Sequence, residues 1–368
     1  MKMKFRKLGY SGAYVSSLSF GTMFVGGAQW QYTPNPVTRE EGFSCLAKSY
    51  DLGINYLDCA DIYGAYGNAE EVIGEFIKEY DRSDFFISSK TFLPMSPKAN
   101  FSGLSRKHIS ESIDKSLERL GTDHIDLYYC HRYDFSTPLE ETVKTMNDLI
   151  SQGKIYYWGT SNWEGTQLER VFGIAKRLGL QGPVCDQSKY NLLQRYSAEV
   201  ELPYTMDYYN LSVVAYKILA DTVLTHIYLG KTIEELHKDD ILNLSRYALS
   251  SLDPQERAKE VLDKINKLNT LAGNLGVSIS QLAIAWVLQN KNISSAIMST
   301  RKPARVEENV NAIDLKLDSD TNKEILSIIA NDPSPEASYK GASYWYHKNI
   351  VKKTLESETI YPPSPEKF

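Results

Sequence analysis

Cysteine is scarce in these 368 residues and never clustered: Cys45, Cys59, Cys130 and Cys185 form no Cys-x-x-Cys pair, and the six histidines are equally dispersed. That spacing argues against a disulfide framework or a zinc centre and leaves the thiols as small buried apolar side chains. No apolar stretch approaches the roughly 20 residues that a membrane span needs. The basic start, MKMKFRKLGYSG, lacks the apolar segment of a secretory leader, so a cytoplasmic location with no membrane partner is expected. Charge of one sign never runs into a block, and a net charge of -5 gives no footprint for nucleic acid. No Gly-x-Gly-x-x-Gly follows a predicted strand, so a Rossmann-type dinucleotide site is not indicated.

What is present is the balance of a soluble globular chain, 42% hydrophobic and 24% charged, with an unusual 25 tyrosines. From residue 15 onward, short β-branched or aromatic runs alternate with segments of helical period. Eight runs read as strands: VSSLSFGT (15–22), INYLDC (54–59), FFISSK (85–90), IDLYYC (125–130), IYYWGTS (155–161), PVCDQ (183–187), LSVVAY (211–216) and ISSAIMST (293–300).

The intervening segments carry helix punctuation. TREEGFSCLAKSYDLG begins with a capping Thr38 and ends at Gly53; SRKHISESIDKSLERLG begins at Ser105 and stops at Gly121; TPLEETVKTMNDLISQGK places Pro138 in its first turn and Gly153 at its end. Eight strands alternating with helices predict an α/β chain folded as one (β/α)8 barrel. Residues 1–14 are expected to form a hairpin closing the floor, residues 217–253 an inserted lid loop after strand seven, and residues 319–330 a further helix. A tail follows over 331–368, and its SYWYHKN stretch could fold over the mouth.

In such a barrel the C-terminal strand ends open on the face that carries the active site. Read in order, those ends offer Thr22, Asp58, Lys90, His131, Ser161 with Asn162, Gln187, Tyr216 with Lys217, and Thr300 with Arg301. Tyr63 lies five positions beyond Asp58. Singly, each of these has a packing or capping explanation, but together they form a chemical unit. The Lys90 ammonium is expected to draw the Tyr63 phenol down from its ordinary value near 10 toward the working range. Asp58 would hold the ammonium, and His131 would donate to or polarise a substrate oxygen. The set suits protonation of an alkoxide developing on a carbonyl, with a hydride donor as the missing partner.

An anion site is expected where STRKPARVEEN (299–309) runs off the last strand into a helix. Arg301, Lys302 and Arg305 stand there beside free backbone N–H groups, with Lys217 adding a charge from strand seven. Glu308 and Asn309, one turn on, could hydrogen-bond a purine.

Six stretches, GTM, GINYLDCADIYGAYGNAEEVIG, LGTDHIDLYYCHRYD, GKIYYWGTSNW, DQSKYNLL and STRKPARVEEN, occur in an order that resembles the aldo-keto reductase superfamily across about residues 4–315. YYWGTSNW is similar to the branch that includes potassium-channel β subunits. The resemblance implies a catalytic tetrad of Asp58, Tyr63, Lys90 and His131, with no metal. It implies NADPH as cofactor, its carboxamide at Ser161, Asn162 and Gln187 and its ring on Tyr216. The adenosine end would lie at Arg305, Glu308 and Asn309, the 2′-phosphate near Thr300 and Arg301, with Thr22, Lys217 and Leu219 also in the cofactor cleft.

The chain departs from that pattern after strand seven. YKILADTVLTH puts Lys217 and Ile218 where the family usually has Ser and Pro, without its glycine-rich turn, and Ser299 stands where many relatives have Gly. His131 stands where channel β subunits typically have Asn, which favours turnover. Trp30, Phe92, Tyr133 and Trp163 are expected to wall the substrate pocket. The resulting expectation is NADPH-dependent reduction of a small aldehyde or ketone, in a chain compatible with a homo-oligomer. Two alternatives stay open: a cofactor-binding regulatory or redox-sensing subunit with little turnover, and a barrel isomerase or hydrolase without nicotinamide.

Overall fold

The computed structural model describes residues 3–26, 36–248 and 253–330. Two short antiparallel strands, β1 (Phe5–Lys7) and β2 (Tyr14–Ser16), precede a closed ring of eight parallel strands. The ring runs β3 (Leu18–Gly21), β4 (Tyr56–Asp58), β5 (Phe86–Thr91), β6 (Ile125–Cys130), β7 (Ile155–Ser161), β8 (Cys185–Lys189), β9 (Ser212–Tyr216) and β10 (Ile293–Met298). β10 closes it by pairing with β3 through Ala296–Leu18, Ile297–Ser19 and Met298–Phe20. With helices packed outside, this is a (β/α)8 barrel.

One predicted strand divides. The run 15–22 contributes its first residues to the floor hairpin and the rest to the barrel, so the hairpin reaches Ser16 rather than stopping near residue 14. The reason lies inside the ring. Leu8 and Val15 from the hairpin pack with Tyr56, Phe86, Leu127, Tyr129, Val184, Cys185 and Val214, filling the barrel's lower interior. The Tyr56 and Tyr129 hydroxyls meet at 3.0 Å, and Tyr129 Oη lies 3.4 Å from Cys185 Sγ, so two phenols are buried with their polar ends satisfied. A larger apolar cluster fills the layer between the strands and the helices.

The helix punctuation is visible in detail. Helix Arg39–Asp51 starts with a reciprocal capping box between Thr38 and Glu41, and helix Arg106–Leu120 is capped by Ser105 and ends on Gly121 at φ 62°. Helix Leu139–Ser151 has Pro138 as its N-cap residue, one position before the first turn in which the sequence suggested it. The last described helix is Ser319–Ile329.

The segment after β9, expected as an inserted lid loop over 217–253, carries regular structure. It folds into 3-10 turns at His226–Tyr228 and Ile233–Glu235 and a helix Lys238–Ser245, and it buries Leu224, Tyr228, Leu244 and Tyr247. Long helices Pro254–Asn274 and Ile279–Gln289 then lead to β10. Trp30, the tail 331–368 and its SYWYHKN stretch lie outside the described residues. Among the described residues no single helix is long and apolar enough to cross a membrane.

Candidate active site

Asp58 ends β4 and pairs in register with Ser88 of β5, whose side chain points the same way as that of Lys90 two residues on. That alternation brings an acid and an amine together inside the mouth. Lys90 Nζ donates to Asp58 Oδ2 at 2.7 Å and to the Cys59 carbonyl at 2.6 Å, and it reaches Tyr63 Oη at 3.4 Å. The other carboxylate oxygen of Asp58 accepts from Ser88 Oγ and from Gln187 Nε2, each at 2.8 Å. Both members of the ion pair are buried. The Tyr63 and His131 rings meet edge to face with centroids 5.9 Å apart. Asp58, Tyr63, Lys90 and His131 therefore converge over the tyrosine layer that plugs the barrel.

The chain bends sharply to deliver Tyr63. Gly64, Ala65 and Tyr66 all take left-handed φ of 66–68°, and Gly67 follows at 109°. At Gly64 a side chain would strike the Val25 carbonyl oxygen at 2.5 Å. Behind the turn, wholly buried Glu70 accepts from Arg119 Nε at 2.7 Å and from Ser89 Oγ, while the Asp61 N–H donates to the Lys90 carbonyl at 3.2 Å.

The electrostatics differ from the sequence expectation at one point. Burial pushes the Tyr63 phenol up to about 12, and the nearby Lys90 ammonium only partly opposes this because Asp58 acts in the opposite sense. The phenol is thus fully protonated at neutral pH. Burial alone would strip Lys90 of its proton, but Asp58, followed by Tyr63, holds its affinity above the ordinary lysine value. His131 is driven well below the usual histidine range by burial, then by Arg132 and Lys90, so it is a neutral imidazole. Its Nδ1 has no hydrogen-bond partner among the described residues.

Beside these groups Gln187, Ser161, Asn162 and Tyr216 are joined in one hydrogen-bond chain. Ser161 Oγ donates to the Gln187 carbonyl at 2.9 Å, Asn162 Nδ2 donates to Ser161 Oγ at 2.9 Å, and half-buried Tyr216 donates through Oη to Asn162 Oδ1 at 2.9 Å. Asn162 sits at φ 55°. Wholly buried Asp186 fixes that turn by accepting from Thr160 Oγ1 at 2.7 Å, from the N–H groups of Asn162 and Trp163 at 3.2 Å each, and from Ser188 Oγ. Thr22 is buried, its hydroxyl donating to the Asp58 carbonyl at 3.0 Å.

A family model described as the aldo/keto reductase family matches residues 17–330 of the chain. The chain belongs to the aldo/keto reductase family. It is 38% identical over 345 residues to a protein of Arabidopsis thaliana named "Probable voltage-gated potassium channel subunit beta", covering 92% of this chain and all of that one. A protein of the same name from Oryza sativa subsp. japonica is 37% identical, with the same coverage.

In this member of the aldo/keto reductase family, the described aromatic residues assigned by sequence to the pocket wall are more deeply buried than expected. Phe92 and Trp163 are fully buried and Tyr133 nearly so. Tyr133 and Trp163 pack edge to face at 4.8 Å, and Arg170 donates to the Tyr133 hydroxyl at 3.3 Å. These three are packed into the larger apolar cluster rather than forming an open apolar wall. Asn309 is buried with its amide donating to Met298 Sδ, and Glu308 is ion-paired with Arg305. Arg301 and Lys302 are exposed ahead of helix Pro303–Asn311, and Thr300 and Leu219 are half-buried.

The donor set fits a phosphorylated nicotinamide dinucleotide. Ser161, Asn162 and Gln187 could hold a carboxamide, the Tyr216 ring could lie against a planar heterocycle, and Lys217, Arg301, Lys302 and Arg305 could hold phosphates.

Sequence reasoning missed Ser88, Asp186, Glu70 and Arg119. Ser88 was within reach, since strand alternation puts it on the face of Lys90. The others carry no local signal beyond their charge.

Proposed function

We propose that the chain reduces an aldehyde or ketone with NADPH, Tyr63 acting as general acid. The observation that carries this reading is the buried Lys90–Asp58 pair with Tyr63 Oη 3.4 Å from Nζ and the His131 ring beside it. When bound, the nicotinamide supplies the hydride. Tyr63, protonated far above neutrality, gives its proton to the carbonyl oxygen as negative charge develops there. Lys90 remains cationic and stabilises the phenolate left behind, while Asp58, fixed by Ser88 and Gln187, keeps the ammonium in place. Neutral His131 can donate one N–H to the same oxygen without repelling Lys90. The substrate is a small carbonyl compound, and the site of action is the cytoplasm.

The names of the plant relatives favour a second reading, a regulatory subunit that binds the cofactor and turns over slowly. Single-turnover oxidation of bound NADPH by 4-nitrobenzaldehyde separates the two. Acceleration over buffer that disappears in Tyr63→Phe is expected. Tight NADPH binding with no acceleration would reject catalysis in favour of regulation.

A further inference from the structure

The segment after β9 begins at the exposed Lys217, which takes φ 55°, and continues through Ala220, Asp221 and Thr222 at 49°, 48° and 74°. Three successive non-glycine residues in left-handed conformation are unfavourable in isolation, so the contacts that hold them are informative. Ile218 and Ala220 are buried, which turns Lys217 and Asp221 outward together. Lys217 Nζ donates to Asp221 Oδ2 at 2.5 Å, and the same oxygen accepts from Tyr247 Oη at 2.7 Å. Asn243 Nδ2 binds the Asp221 carbonyl at 3.1 Å and Asn191 Nδ2 the Lys217 carbonyl at 2.9 Å, tying the turn to the inserted helix and to the end of β8. Among the described residues the main-chain N–H groups of Ile218 and Leu219 make no hydrogen bond.

A cation one residue beyond Tyr216, with two unspent N–H groups following it, is a site for a phosphate-type anion. The anion found there now is the chain's own carboxylate. We propose that Asp221 is a built-in competitor for this subsite: it neutralises Lys217 in the unliganded chain and must give way when a dinucleotide pyrophosphate takes its place. Asp221 thereby lowers cofactor affinity and sets how readily cofactor exchanges, with Tyr247 holding the displaced carboxylate. The inference rests on the cofactor reading above and deepens it at one subsite. Because both partners are about a third exposed, the competition is modest, worth about two- to five-fold in affinity.

The test is isothermal titration of NADPH into wild type, Asp221→Asn, Lys217→Met and the double variant, with urea midpoints measured alongside. Asp221→Asn is expected to bind NADPH about two- to five-fold more tightly, Lys217→Met more weakly, and the double variant like Lys217→Met. A purely structural Asp221 would loosen the turn and weaken binding in Asp221→Asn; unchanged or weaker binding there overturns the proposal. A gain that persists in the double variant also overturns it, since the effect would not pass through Lys217. If Asp221→Asn does not fold, Lys217→Met decides alone, and wild-type affinity in that variant is the negative result. A wild-type protein that binds no NADPH rejects the cofactor reading itself, an outcome distinct from all of these.

Discussion

Replacing Asp58 by Asn probes the pair on which the site depends. The exchange keeps an oxygen for the Ser88 and Gln187 donors but turns an amide N–H toward the Lys90 ammonium, which sits fully buried 2.7 Å from the lost charge. The gross attraction at that separation is about 6 kcal/mol for an effective dielectric of 20. Much of it offsets desolvation, and deleting one partner of a buried pair leaves a net cost of roughly 3–5 kcal/mol. Lys90→Met, which strands Asp58 instead, should cost about the same. The double variant exchanges the pair for an uncharged, better packed combination and should recover most of the loss.

The pH dependence carries a sign. In the wild type Lys90 binds its proton more tightly folded than unfolded, so its contribution is full below the unfolded lysine value of about 10.4 and fades as pH rises through the folded one. Without Asp58, burial dominates and the ammonium is disfavoured. The deficit of Asp58→Asn should then be largest near pH 6 and shrink as pH rises and Lys90 sheds its proton. Urea unfolding of the four proteins at pH 6, 7.5 and 9.5 measures both effects. Single-variant losses that add in the double variant to within about 0.5 kcal/mol would refute the coupling.

Tyr63→Phe should lower kcat by about 10²–10⁴-fold with NADPH affinity retained, because the hydroxyl acts on the reacting oxygen; wild-type turnover would remove Tyr63 from its role. Arg305→Ala should weaken NADPH more than NADH, as read by titration, and an equal loss for both would discard the 2′-phosphate assignment. Burial, with Glu70 adding to it, pushes the Asp61 carboxyl up to about 7, and one of its oxygens has no partner among the described residues. Its folded-state value lies above the unfolded one of about 3.9, so this group makes stability fall as pH rises from about 4 to 7. Asp61→Asn should be the more stable protein at pH 8 and show a flatter profile; an unaltered slope in urea midpoints between pH 5 and 8 would contradict this.

The barrel was legible because its signals are local. IDLYYC and IYYWGTS appear as β6 and β7 with the bounds read from sequence, since each is a β-branched or aromatic run flanked by helix punctuation. The split between β2 and β3 was not legible. Tyr14 to Gly21 is one continuous strand-forming run, and only the packing of Val15 and Leu8 against the barrel interior assigns its first part to the floor. The high tyrosine content gains a partial explanation there too, in the buried Tyr56–Tyr129 contact. The pocket aromatics failed for the opposite reason. Sequence places Phe92, Tyr133 and Trp163 after strand ends but cannot say whether a ring stays open to the mouth or packs into the core, and all three are buried in the larger apolar cluster.

The charged site was legible in composition more than in electrostatics. Strand ends named the acid, amine and imidazole, but the sign of the Tyr63 shift is set first by the burial of the phenol, with Lys90 and Asp58 acting in opposite senses, and neither that burial nor the 2.7 Å Lys90–Asp58 contact is contained in any motif. The same limit applies to the backbone. Ala65, Tyr66, Ala220, Asp221 and Thr222 all adopt positive φ, although none is glycine or asparagine. Conformations of this kind cost about 1–3 kcal/mol each and persist only where the surroundings over-determine them. Here the surroundings are a Gly64 wedged against Val25 on one side and the Asp221 contacts to Lys217, Tyr247 and Asn243 on the other. One strained turn presents the phenol and the other presents Lys217. Local preference and tertiary structure therefore conflict in the two segments that deliver the proposed proton donor and the proposed phosphate ligand, where a reading from local preference is expected to fail.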